Sequence, residues 1–104
     1  MKAVLRYNLE GPHSEFDAPS DAKPLCVQPH IKSGQPVMWF LCDSDMPKVK
    51  HEVNIYATGQ LIRELFPGNY VGTLQLLDPQ SRHPAVLHVF HRQVPLAISE
   101  TKVN

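Results

Sequence analysis

The sequence is short of cysteine, of glycine and of charge in either direction. Cys26 and Cys42 are too few for a disulfide framework and lack the spacing of a zinc knuckle, so both read as buried structural thiols. Five scattered glycines build no phosphate-cradling loop. Ten Lys and Arg balance ten Asp and Glu, which argues against nucleic acid or an anionic membrane as the main partner. The longest apolar run, Val37 to Cys42, is far too short to cross a bilayer as a helix. Arg6 interrupts the first apolar stretch, so no secretory signal is expected, and a reducing cytoplasm is the expected setting. What remains is 104 residues, room for one ordinary domain, with 42% hydrophobic residues to build its core.

Proline is abundant instead. Its ten copies cut the chain into short pieces, and proline inside a helix removes a donor and clashes with the preceding turn. Between the prolines the apolar residues alternate. Ala3, Leu5, Tyr7 and Leu9 share one parity; Val53, Ile55 and Ala57 share another; Tyr70, Gly72, Leu74 and Leu76 a third. Period two is the mark of a strand with one buried face. Val37 to Cys42 and Ala85 to Phe90 are apolar at both parities, which suits strands inside a sheet covered on both sides. Pro24 to Gln28 and His13 to Ala18 are weaker strand candidates. Turn chemistry separates the segments at Gly11-Pro12, Pro19-Ser20-Asp21, Lys32-Ser33-Gly34, Asp43 to Pro47, Pro67-Gly68-Asn69 and Asp78 to Ser81. The pattern predicts an all-β domain, an antiparallel sandwich or small barrel of about six to seven short strands over residues 1–92. At most one short helical turn fits, at Gln60 to Phe66, with Leu61, Leu65 and Phe66 inward. Trp39 shares parity with Val37 and Leu41 and is expected in the core.

The segments Val4-Leu5-Arg6-Tyr7-Asn8-Leu9, the Trp39 strand, Tyr56-Ala57-Thr58-Gly59-Gln60, Tyr70-Val71-Gly72-Thr73 and Leu87-His88-Val89-Phe90 belong together. Over residues 4 to 90 they resemble a family of small uncharacterised phage and bacterial proteins, a domain of unknown function. The resemblance implies an all-β fold, a cytoplasmic setting and a phage origin. It implies no activity and no catalytic residues.

Chemistry is hard to assemble from these residues. His88 and His91 are three apart, which places them on opposite faces of a strand, and neither a His-Glu-x-x-His helix nor a Cys-x-x-Cys pair occurs. No stoichiometric metal and no cofactor is expected. There is no Gly-x-Ser-x-Gly elbow. Cys42 ends an apolar strand, and Asp43 and Asp45 flank a serine in a turn, so neither makes a convincing catalytic group. No catalytic residue is assigned, and a hydrolytic enzyme using His and Asp ranks third among the readings.

Recognition is the better prospect. If Val53, Ile55, Leu74, Leu76, Leu87 and Val89 face the core, then Asn54, Tyr56, Thr73, Gln75, His88 and Phe90 face away from it. Aromatic and hydrogen-bonding groups mixed on one face have the composition of a binding surface. The leading expectation is a non-catalytic phage-encoded accessory protein that binds a host protein. The alternative, of a different class, is a protein that sequesters a nucleotide-like small molecule, with Tyr56 and His88 stacking and Arg63 and Arg82 contacting phosphate. Residues 93–104 form a tail in which Leu96 and Ile98 alternate with Ala97 and Ser99. It is expected to add as an edge strand and, through exchange with a second copy, to make a homodimer.

Overall fold

The computed structural model describes residues 1–77 and 83–94. Seven strands account for most of them: β1 (Lys2–Asn8), β2 (His13–Pro19), β3 (Lys23–Pro29), β4 (Pro36–Asp43), β5 (Lys48–Ala57), β6 (Asn69–Leu77) and β7 (Pro84–Gln93). A three-stranded sheet runs in the order β1-β4-β3 and a four-stranded sheet in the order β2-β5-β7-β6, every paired neighbour antiparallel. The sheets stack as a sandwich and do not close into a barrel. The two doubly apolar segments take interior positions: β4 lies between β1 and β3, and β7 between β5 and β6. Such strands have sheet neighbours on both edges, where their β-branched and aromatic side chains pack best.

The core fills the space between the sheets. Met38, Phe40 and Cys42 of β4 meet Val53 and Ile55 of β5, Leu74 of β6 and Val89 of β7, with Leu9, Ala18 and Val27 completing the cluster. Tyr7 of β1 stacks on Phe16 of β2 with ring centroids 4.7 Å apart, and both rings meet the edge of Phe40. Burying a side chain of this size contributes about 1.5–3 kcal/mol, and the aromatic geometry adds about 1. At the other side β3 packs against β6.

Three expectations are corrected. Trp39 is not in the core: it lies partly buried on the outer face of the three-stranded sheet, opposite Arg6 and Cys26, while Met38, Phe40 and Cys42 point inward. A strand apolar at both parities does not announce which face is inward, and the alternation of β1 decides it, since Leu5 and Tyr7 pair with Phe40 and Met38. Tyr70 is not on the inward parity either. Its Cα partner is Phe90 and that of Gly72 is Val89, so Val71 is an extra residue, and this β-bulge turns Tyr70 outward to 60% exposure while Val71 packs on the core. Finally, Leu61, Leu65 and Phe66 are not inward but exposed, in a segment that stays within the limit of one helical turn by forming none. Seven residues between Gly59 and Pro67 are too few to offset the cost of nucleating a helix.

That segment has a topological task. β5 and β6 run parallel with β7 between them, so residues 58–68 must cross the outer face of the four-stranded sheet. The crossing begins with a turn in which the Gln60 amide donates to the Ala57 carbonyl and the Ala57 amide donates to Gln60 Oε1, both at 3.0 Å. It ends at Gly68, with φ of +125°. A Cβ there would lie 2.8 Å from the His91 carbonyl oxygen, so only glycine lets the chain pass this close to β7. At the carboxyl end, β7 reaches Gln93 and the Val94 amide donates to the Lys50 carbonyl at 2.9 Å. The remainder of the expected tail, from residue 95 onward, lies outside the described residues, and with it the edge strand and the exchanged dimer.

Candidate functional site

The outer face of the four-stranded sheet gathers six of the eight residues singled out from the sequence. Strand pairing aligns Asn54 with Phe90 and Tyr70 in one row, and Tyr56 with His88 and Thr73 in the next, with Gln75 beyond. Arg63 sits exposed on the crossover. Arg82 lies outside the described residues.

The face is not uniformly open. The crossover covers its middle, leaving Asn54 and Tyr56 only 4% and 7% exposed. The Phe90 ring lies edge-on between Tyr56 and Tyr70, with centroids 5.9 and 5.8 Å away. Burial raises the pKa of Tyr56, and the nearby Glu64 carboxylate adds to the effect. Among the described residues no group meets hydrogen-bond geometry with its buried hydroxyl, and Glu64 acts on it as a nearby charge. Beside the crossover runs an exposed polar chain. His88 Nε2 is 2.7 Å from Thr58 Oγ1, His88 Nδ1 is 2.9 Å from Thr73 Oγ1, and Thr73 Oγ1 is 2.7 Å from the Tyr70 hydroxyl. The covered Tyr56 ring and the doubly held His88 ring are poorly placed to stack on a nucleobase.

A second network occupies the β2 side of the same face. His13 Nδ1 lies 2.7 Å from Asn54 Oδ1, and Asn54 Nδ2 donates at 2.8 Å both to Glu52 Oε2 and to the Pro67 carbonyl of the crossover. Arg92 Nε donates to Glu52 Oε2 at 3.1 Å. Burial pushes the Glu52 carboxyl up, but hydrogen bonds from Arg92 and Asn54 outweigh it and hold it below the usual range. The hydrogen bond to Asn54 raises the pKa of His13 against some burial, and Glu15 and Glu52 add to it. His13, Glu15 and Glu52 each bring a ligand-type atom within 4.8 Å of the others, which makes them a candidate cation-holding group. His13, Glu15, Glu52 and Arg92 were missed by reasoning from sequence. Continuing the parity of Asn54 back to Glu52, and of Phe90 on to Arg92, would have found two of them; their meeting with β2 is a matter of strand order.

The apolar residues of the crossover were also misread. Leu61 is 81% exposed and Leu65 fully so, with Ile62 and Phe66 about half exposed. They project from a segment held at its two ends by hydrogen bonds at Gln60 and Pro67. Asp43 and Asp45, weighed as a carboxylate pair, instead accept from the amine of Met1 at 2.7 and 2.9 Å.

The fold is thus a seven-stranded antiparallel sandwich with a polar outer sheet face strapped by an apolar crossover. The chain belongs to the family described as Domain of unknown function (DUF7352), which matches residues 1–98 and so reaches past the 4 to 90 expected from sequence. No curated protein and no solved structure matches it.

Proposed function

We propose that this domain works by binding another protein, with the crossover as the contact element, and that it is not an enzyme. The observation that supports this reading is the projection of Leu61, Ile62, Leu65 and Phe66 into solvent from a segment held at its two ends. Contiguous apolar side chains on a folded surface mark interaction sites more often than chance exposure, and the flanking Arg63, Thr73 and Gln75 supply a polar rim. The resemblance to phage and bacterial proteins makes a host protein in the cytoplasm the proposed partner. Capture from host lysate with the intact chain, read by mass spectrometry, tests this against Leu65→Asp with Phe66→Ser. A protein retained by the intact chain and lost by the folded variant is expected. Equal retention by both would refute the crossover as the contact.

A second reading has its own observation. At one mouth of the sandwich Pro12, Pro36, Ile55, Ala57, Leu76 and Leu87 line a cleft of about 280 Å³, small and mostly apolar. A compact apolar ligand fits it better than a nucleotide. Under this reading a ligand would raise the melting temperature of the isolated protein, with no partner protein needed.

A further inference from the structure

We propose that His13, Glu15 and Glu52 form a binding site for one divalent transition-metal cation, of which Zn²⁺ is the natural probe. The three side chains come from neighbouring strands, β2 and β5, and share the outer face of the sheet. Imidazole with two carboxylates is a ligand set suited to zinc and its neighbours, and three protein ligands leave a coordination position for water.

Two features go beyond proximity. The first is the orientation of the ligands by one buried amide. Asn54 Oδ1 accepts from His13 Nδ1, which leaves His13 Nε2, 3.4 Å from Glu15 Oε2, as the nitrogen that would bind a metal in exchange for its proton. The same amide donates through Nδ2 to Glu52 Oε2. Metal-bound histidines are held in this way, with the second ring nitrogen donating to a fixed acceptor. The second feature is the register. Glu15 and Glu52 are directly opposed Cα partners, and like charges so placed repel unless a cation comes between them. Arg92 answers part of this charge, but it reaches Glu52 from β7, on the side of β5 away from β2. The two glutamates and Arg92, which reaches both Glu52 oxygens at 3.1 and 3.4 Å, sum to one net negative charge, and the cation would displace any proton held on His13 Nε2 beside Glu15. The set escapes the argument from His88 and His91, because its members are joined by strand pairing and not by spacing along the chain.

The test is calorimetric titration of the intact chain with ZnCl₂, and with MgCl₂ for comparison. One equivalent of Zn²⁺ is expected, with Mg²⁺ much weaker because it prefers oxygen ligands and keeps its waters. His13→Ala and Glu15→Gln should each weaken Zn²⁺ binding about tenfold or more. Glu15 is exposed, so Glu15→Gln should melt like the parent without metal, whereas His13→Ala also strands the buried Asn54 Oδ1 and is titrated at a temperature where its own melt shows it folded. His30→Ala, which removes a ring already accepting the Lys32 and Ser33 amides, should leave the titration unchanged. In a Co²⁺ titration followed by NMR, the His13 ring signals should shift before those of the other histidines. No saturable binding, or one equivalent bound equally well by His13→Ala and Glu15→Gln, would overturn the proposal.

Discussion

Acidification from about pH 6.5 to pH 4 should weaken this domain at its centre, through His91. The ring is 6% exposed, lies against the face of His51 with centroids 5.1 Å apart and meets Phe40 at 5.3 Å. His51 Nε2 is 3.0 Å from the Pro19 carbonyl, which can only accept, so that nitrogen carries a hydrogen. The remaining His51 Nδ1 faces His91 Nε2 at 2.9 Å, and the bond between them needs one nitrogen without a proton. With both rings neutral His91 Nε2 is the donor, so a further proton goes to His91 Nδ1 and leaves a buried imidazolium against His51 and Phe40. Burial, and then the charge of His51, lower the pKa of His91 from 6.5 to about 4. Lys23 of β3, beside His91 in the same crevice, is a further cation there. A base with a lowered folded pKa binds its proton more readily in the unfolded chain. Its contribution is therefore complete above pH 6.5 and is lost progressively as the pH falls to about 4, a total of about 3 kcal/mol. For a domain of this size that corresponds to a fall in Tm of about 12 °C or more. His13 works in the opposite sense, since its raised pKa adds stability at low pH that is lost as pH rises through the folded value. Glu52, with a lowered pKa, adds stability above pH 4.5 that is lost below it. The clean measurement is accordingly the difference between parent and His91→Phe in urea melts from pH 7.5 to 4. The variant loses a fixed amount by stranding His51 Nδ1, about 1–3 kcal/mol, but its stability should fall less steeply below pH 6.5. Parallel profiles for the two proteins would refute the reasoning.

The other expectations concern packing. Phe40→Ala should cost about 3–5 kcal/mol, whereas Trp39→Ala, on the outer sheet face, should cost less than half of that; equal losses in urea melts would place Trp39 back in the core. Gly68→Ala should destabilise by more than about 1 kcal/mol, because it adds a Cβ 2.8 Å from the His91 carbonyl oxygen at φ of +125°; an unchanged Tm would show that the crossover can shift. Leu65→Asp should leave Tm within about 2–4 °C of the parent, its side chain being fully exposed; a larger fall would mean that the crossover contributes to the fold.

Much of the architecture was legible in the chain. Prolines spaced through the length excluded long helices, and alternating residues such as Leu5, Tyr7, Val53 and Val89 identified inward faces that the sandwich retains. The same parity predicted that Asn54, Tyr56, Thr73, Gln75, His88 and Phe90 each point away from the core, because alternation is a local property of an extended backbone; that they share one face was decided by the pairing of β5, β7 and β6. Strand order, by contrast, is decided between residues far apart. Only the sheet sequence β2-β5-β7-β6 brings His13 and Glu15 beside Glu52, and Glu52 beside Arg92. It also makes β5 and β6 parallel, which sends residues 58–68 over the face and buries Tyr56 beneath them. Trp39 and Tyr70 show the same limit at single positions. A strand apolar at both parities takes its inward face from its partners, and a bulge reverses parity through one extra residue opposite β7. Sequence alone determined the period of each strand, which is set by covalent geometry; tertiary structure decided the neighbours, because pairing depends on which apolar faces can be buried together.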